Sequence, residues 1–442
     1  MGNLSTPDSV QKLRKALQTK AKESEGFRFY ALYDKVYRSD VLAHAYARCR
    51  ARHGAAGVDR ESFEDIEAYG VERWLEELAH ALRNETYMPE PVRRVFIPKP
   101  NGTQRPLGIP AIRDRVAQTA VMVVLESIFE PDLAAEQYAY RAERGAHDAV
   151  LRVFGLINTG HREVIDADLS SYFDTIPHAE LFRCVARRVV DRRVLHLIKM
   201  WLTTPVEEID KRGCRRRTTQ NRDERRGVAQ GSPISALLAN LYMRRFVLGW
   251  KHFGYEERFK ARIVNYADDL VICCKRDPEA ALEKMRQMMR RLKLTVNEEK
   301  TCIRRLPAER FDFLGYTFGR CYSEKTGKAL LAEWRSKKSV HRLIVNVREQ
   351  TGRNRVLLDV DTMISRLNAK LRGWAGYFSS GLCNKAYRAV DAYTVYRLTR
   401  WLCVKHKIGY SRNRRFTYSR IYGELGLESL GSLPRRYPTV KV

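Results

Sequence analysis

Two adjacent acids, Asp268 and Asp269, interrupt the apolar, β-branched run Ile263-Val264-Asn265-Tyr266-Ala267-Asp268-Asp269-Leu270-Val271-Ile272-Cys273-Cys274. Such a run reads as two short strands joined by a tight turn, with the acids at the tip. Asp is a poor strand former, so a carboxylate pair here needs a reason. A solvated polar tip is one. The flanking strands, however, read as fully buried, and two carboxylates beside a core repel each other unless a cation lies between them. A divalent metal ion is the economical explanation, and it requires further ligands elsewhere in the chain.

A second acidic cluster supplies them. In Val164-Ile165-Asp166-Ala167-Asp168-Leu169-Ser170-Ser171-Tyr172-Phe173-Asp174 the alternation puts Ile165, Ala167 and Leu169 on one face and Asp166 and Asp168 on the other. A strand that ends in acids, followed by a turn and a helix from His178, can bring one of them beside Asp268.

The rest of the chain is basic. Lys and Arg number 81 against 52 Asp and Glu, a formal charge of +29 over 442 residues. That excess exceeds what solubility needs and points to a polyanionic partner, most simply nucleic acid. No long uncharged apolar run and no signal-peptide pattern near Met1 is present, so no membrane partner is expected and the expected location is the cytoplasm, with nucleoid association on DNA. Nine cysteines without any Cys-x-x-Cys pair suit reduced thiols rather than disulfides or zinc ligands. The length allows two or more domains. Nothing in the sequence points to a particular oligomeric state.

In chain order, Leu4 to Arg28 is amphipathic and strongly basic, and helices are expected over Asp40–Arg52, Ser62–Tyr69 and Glu72–Arg83. A loop with a glycine hinge, Ala55 to Asp59, lies between the first two. Val92 to Pro110 reads as a strand, a Pro-Asn-Gly turn and a second strand, exposed and edge-like, with Lys99 and Arg105 flanking the turn. Val116 to Phe129 is a buried helix. Tyr138 to His147 mixes aromatics with arginines, a pattern that suits base stacking and phosphate pairing. A dense basic cluster over Lys211 to Arg226 leads into the glycine-flanked loop Gly227 to Ser235, where backbone can approach a ligand closely. Further strands are expected over Leu294–Thr301 and Phe311–Phe318. From about Lys337 the pattern becomes helical and basic, and Lys405 to Arg420 interleaves cations with Tyr410, Phe416 and Tyr418. This order describes an α+β sheet with helices packed on one face.

Taken together, these segments resemble the reverse transcriptases encoded by group II introns, over nearly the whole chain. Gly54 to Asp59 is similar to the family's N-terminal extension motif and Ile97 to Pro110 to its fingers hairpin. Ile165 to Asp174, Gln230-Gly231-Ser232-Pro233, Tyr266 to Asp269 and Asn297 to Thr301 resemble polymerase motifs A to D. Phe313-Leu314-Gly315-Tyr316 resembles the primer grip, and Leu371 to Phe378 the maturase thumb signature. A chance match to one short motif is easy; this ordered set is not.

The resemblance implies a right-hand polymerase: an N-terminal extension over residues 1–85, fingers and palm with an antiparallel sheet over 86–325, a helical thumb over 326–400 and a small basic DNA-binding segment over 401–442. It implies RNA-directed synthesis of DNA on an RNA template and a DNA primer from deoxynucleoside triphosphates, with group II intron RNA as a further partner in splicing and retrohoming. Asp168 and Asp268 are the expected ligands of two Mg²⁺ ions (Mn²⁺ as a substitute), supported by the Leu169 carbonyl and Asp269. Two ions roughly 3.5–4 Å apart stabilise both ends of a phosphoryl displacement. Asp166, on the same strand face, is a competitor outside the family's position. Lys99, Arg105 and Gln230 are expected to meet the triphosphate, Lys300 to protonate the pyrophosphate, and Phe173 to exclude a 2′-hydroxyl.

The chain departs from the family at Ala229 and Ala236, where prolines are commoner. It also ends without the cysteine-rich nuclease module of many relatives, so priming from a nick or replication fork is expected. Two other readings share the same motifs: a domesticated enzyme of DNA repair or phage defence, and a splicing maturase that needs no polymerase activity. The complete acid set argues against the latter.

Overall fold

The computed structural model describes residues 5–98, 102, 104–209, 214–322, 327–382, 384–409 and 415–433 of the chain. Lys99, Lys211, Arg212, Tyr410, Arg412 and Arg414 therefore lie outside the described residues.

The first 83 residues are helical where they form regular elements: α1 Asp8–Glu23, α2 Tyr33–Val36, α3 Ser39–Arg50, α4 Phe63–Tyr69 and α5 Val71–Arg83. Ser62 starts α4 through a reciprocal capping box with Asp65. Strands β1 Val92–Pro98 and β2 Gln104–Ile109 follow, then α6 Ile112–Phe129, α7 Ala146–Asn158, β3 Glu163–Asp168, α8 Tyr172–Thr175, α9 His178–Ala186 and α10 Arg192–Thr203. Next come β4 Val206–Ile209, β5 Arg215–Thr218, α11 Gln220–Asp223, α12 Ser235–His252, α13 Tyr255–Arg258, β6 Arg262–Tyr266, β7 Asp269–Cys274 and α14 Pro278–Arg291. The chain continues with β8 Cys302–Arg305, β9 Phe311–Phe313, β10 Tyr316–Tyr322 and β11 Ala329–Arg335, and closes with α15 Lys337–Gln350, α16 Val360–Tyr377 and α17 Asn384–Lys405.

Three sheets result, in the orders β2-β1-β4-β5, β6-β7-β3-β8 and β11-β10-β9. All pairings are antiparallel except β1 with β4. In the central sheet the two acidic segments become neighbours: β3 pairs β7 with Asp168 opposite Asp269, and β6 pairs β7 with Tyr266 opposite Asp269.

Several expectations need correction. The central sheet is covered on both faces, not one. Ile165, Ala167, Leu270 and Ile272 pack with α6, α9, α12 and α14, whereas Val164, Val264, Val271 and Cys273 pack with α7 and the sheet of β9 to β11. Period-two strands that are apolar on both sides demand two covers. Residues 294–301 form no strand; Val296 makes one bridge to Leu169, and the chain then turns. Residues 311–318 are two strands joined by the turn Leu314-Gly315, with φ +49° and +82°, the double positive φ that suits a tight hairpin. The basic stretch before Gly227 contains β5, held against β4 by Arg217 and Arg215, which reach buried Glu207 at 2.9 and 3.7 Å. In the hairpin of β1 and β2, only β2 is an edge. Helix α16 runs on to Tyr377 instead of ending at Gly373.

The last three helices share a separate core built on Leu343, Leu367, Leu371, Leu398 and Trp401. Among the described residues no helix is long and apolar enough to cross a membrane, and the eight described cysteines are free thiols.

Candidate active site

The turn between β6 and β7 is two residues long, Ala267 and Asp268. Ala267 has φ +57°, a costly conformation for a residue with a side chain, so something must hold it. Asn265 does. It is fully buried, and its Nδ2 donates to the carbonyls of Ala267 (2.8 Å) and Asp269 (3.3 Å), bridging the turn from beneath. Its main chain bonds Glu136 O and Tyr138 N, tying the tip to the segment before α7. This residue was missed in the sequence, although an amide in an otherwise apolar strand was the available signal.

Asp168 ends β3. Its Oδ2 accepts from Asn297 Nδ2 at 3.0 Å and from Lys300 Nζ at 3.1 Å, while Asn297 N donates to its carbonyl at 2.8 Å. The segment 295–301 thus works as a turn that clasps the strand end, which explains why it is not a strand. The Lys300–Asp168 pair is largely exposed and so contributes little stability. Leu169 follows, bridged to Val296.

A cleft of about 1520 Å³ opens in front of these acids. Asp168, Leu169, Asp268, Asp269, Lys300, Arg105, Phe173 and Gln230 all line it. Enclosure by protein, then the charges of Asp268, Asp166 and Asp168, raise the Asp269 carboxyl to about 7, with Arg105 opposing. The Asp269 side chain itself is open to the cleft, so the acid neighbours are the part of that shift a cation would reverse. Burial first, and then Asp168 and Asp312 against Arg304, raise Asp166 to about 6. Asp166 does not line the cleft. Tyr140, at φ +57°, also lines the cleft, and although its surface is half open, enclosure there followed by the Asp268 charge raises its phenol.

Gln230 sits in a loop pinned to β2: Gly108 N donates to its carbonyl at 2.6 Å, and its Nε2 donates to Asp174 Oδ2 at 3.3 Å. Phe173 stands edge-on to Tyr172, and its carbonyl accepts from Val228 N at 2.8 Å. The turn 313–316 does not line the cleft; it lies beside it, against Tyr377 and His147.

One basic side chain expected to meet nucleic acid is structural, and so is the glycine loop before α4. The Arg141 guanidinium is buried and donates to the carbonyls of Ala134 and Gln137 while pairing with Glu130. Gly54 and Gly57 are close-packing positions rather than a hinge: a Cβ would lie within contact distance of Arg115 Nη1 at the first and 2.5 Å from Ala111 Cα at the second.

Among the described residues, no three His, Cys, Asp or Glu side chains stand as a ready metal cage. Mg²⁺ is ordinarily held by one or two carboxylates plus substrate phosphates and water. A cluster of acids in which enclosure, and then mutual repulsion, lifts one of them to about 7 fits an ion that substrate completes.

The family described as "Reverse transcriptase (RNA-dependent DNA polymerase)" matches residues 97–318, half of the chain and all of this cleft's acids. The chain belongs to the reverse transcriptase family. A second match, "Group II intron, maturase-specific domain", covers residues 340–418 of this reverse transcriptase and makes it one of the group II intron-encoded type. It is 33% identical over 346 residues to "Protein YkfC" of Escherichia coli (strain K12), covering 70% of the chain and 87% of that protein. It is 31% identical over 230 residues to the "Group II intron-encoded protein LtrA" of Lactococcus lactis subsp. cremoris, covering 50% of the chain and 36% of the relative. A third relative, the "Putative COX1/OXI3 intron 1 protein" of Saccharomyces cerevisiae, is 26% identical over 63% of the chain and 38% of its own length. The reverse transcriptase thus spans most of the first relative and little more than a third of the other two.

Proposed function

We propose that this reverse transcriptase copies RNA into DNA at the cleft of Asp168, Asp268 and Asp269, and that it binds a group II intron RNA to assist splicing and retrohoming. One observation carries the polymerase site: the register that sets Asp168 directly across from Asp269, with Asp268 next to it at the turn.

Asp168 and Asp268, with the Leu169 carbonyl and Asp269 in support, would hold two divalent ions, of which Mg²⁺ suits the oxygen donors. Bound there, such ions supply charge stabilisation at the attacking and leaving oxygens of an in-line displacement. Arg105 and Lys99 neutralise the triphosphate. Gln230 orients the nucleotide from the loop pinned to β2. Phe173 fills the volume that a 2′-hydroxyl needs and so selects deoxynucleotides. Lys300, free to leave its exposed pair with Asp168, hands a proton to the departing pyrophosphate. The turn 313–316 holds the primer end. In this reading residues 1–85 are the N-terminal extension, 86–325 fingers and palm, 326–400 the thumb and 401–442 a basic DNA-binding segment.

Asp268→Ala tests the assignment. Primer extension on an RNA template is expected to vanish while RNA binding changes less than twofold; retained extension would remove Asp268 from the site.

A further inference from the structure

The turn Leu314-Gly315 exposes two carbonyls, and both are held by the C-terminal helical unit. Tyr377, the last residue of α16, donates its hydroxyl to Leu314 O at 3.1 Å. Gly315 O accepts from Ser336 N at 2.9 Å and from Ser339 Oγ at 3.1 Å, both at the start of α15. The bond is returned: Tyr316 Oη donates to Tyr377 O at 2.9 Å. Phe378 closes the turn from the side, since a Cβ on Gly315 would stand 3.0 Å from its ring. The Tyr377 ring packs against Phe378 at 4.7 Å and His147 at 5.7 Å yet stays 38% exposed. Burial, and then the charges of Tyr266, Tyr316 and Asp269, raise its phenol to about 12.

Tyr377 lies within the segment matched as maturase-specific, but its hydroxyl and its carbonyl bond Leu314 and Tyr316, and its ring meets His147, all in the polymerase half. We infer that Tyr377 is a positioning residue of nucleotide addition: by fixing the Leu314 carbonyl, its hydroxyl sets the turn 314–315 against the growing primer end. This rests on the reading of 313–316 as the primer-holding turn.

The test uses the full chain, oligo(dT) annealed to poly(rA), and dTTP, with active-site titration to count folded enzyme. Tyr377→Phe keeps the ring and deletes one hydrogen bond. It is expected to raise KM for primer–template three- to tenfold, with kcat within twofold and KM for dTTP unchanged. Ser339→Ala, which removes one of the two donors to the Gly315 carbonyl, is expected to move the same constant, and it serves if Tyr377→Phe does not fold. Gly315→Ala perturbs the turn directly. If Gly315→Ala raises the primer KM while Tyr377→Phe and Ser339→Ala lower only the melting temperature, the inference is overturned and the primer role of the turn stands. If none of the three moves the primer KM, the primer role itself fails.

Discussion

Gly231→Ala is the sharpest probe of the loop that carries Gln230. The backbone at Gly231 has φ +110°, a region that residues with a Cβ avoid. An added Cβ would lie 2.4 Å from Gly108 O and 3.0 Å from Leu107 Cδ1. Ordinary contact begins near 3.4 Å, so the loop and β2 must separate by about 1 Å. That movement stretches the 2.6 Å bond from Gly108 N to Gln230 O, which contributes about 1 kcal/mol. The backbone conformation adds about 1–2 kcal/mol of strain. A total near 2–3 kcal/mol lowers the melting temperature by several degrees without unfolding a chain of this size at 25 °C. The effect on chemistry is larger, because a displacement of about 1 Å at a reacting group costs on the order of 10²-fold in rate. Single-nucleotide incorporation at saturating dNTP should therefore fall about a hundredfold, with thermal melting showing a cooperative transition a few degrees lower. A variant that melts normally and incorporates within twofold of the parent would refute the claim that this close approach positions Gln230.

Three further perturbations address the acids and their neighbours. Phe173→Ala opens the volume beside the sugar, so the preference for dNTP over rNTP in primer extension should drop by at least tenfold; unchanged discrimination would remove its role. Asn265→Leu leaves the carbonyls of Ala267 and Asp269 without their donor, at about 1 kcal/mol each, and should cut kcat more than tenfold with RNA affinity intact; full activity would show that the turn holds itself. The pH dependence has a definite sign. The Asp269 carboxyl is raised from 3.8 to about 7, so the ligand-free folded protein keeps a proton that the unfolded chain has lost. Its stabilising contribution is complete below about pH 4 and fades as pH rises through 7. Cation binding needs the ionised form and so strengthens over the same interval. Added Mg²⁺ should raise the melting temperature more at pH 8 than at pH 6, and equal increments would count against Asp269 as a ligand.

How much of this was legible in the sequence depends on which force decides each segment. The acidic strand ends were legible because Asp166, Asp168, Asp268 and Asp269 break period-two apolar runs, and the central sheet forms from those runs. Strand β5 was not, since Arg215, Arg216 and Arg217 carry no apolar signal; the buried Glu207 carboxylate across the ladder makes it a strand. The hairpin of β9 and β10 was hidden because Leu314 at φ +49° is no turn signal. Its conformation is imposed by hydrogen bonds from residues 21 to 63 positions later in the chain. Arg141 illustrates the opposite error: charge suggested a partner outside the protein, and the partner is the carbonyl of Gln137, four residues away.

The same contrast separates the two acids that face each other across β3 and β7. Asp168 lies where a local turn can serve it: Asn297 and Lys300 both reach Oδ2 from one short segment. Among the described residues no hydrogen bond reaches the Asp269 carboxylate, whose neighbours are three more acids and the guanidinium of Arg105. A strand register that places a satisfied carboxylate opposite an unsatisfied one leaves a deficit of positive charge on one side of the cleft. Arg105 and Gln230, which line the same cleft, come from β2 and the loop pinned to it. Folding alone has no use for this arrangement, since a salt-bridged or apolar pair at the same register would hold β3 and β7 together better. The retained repulsion is intelligible as the binding energy reserved for what enters the cleft.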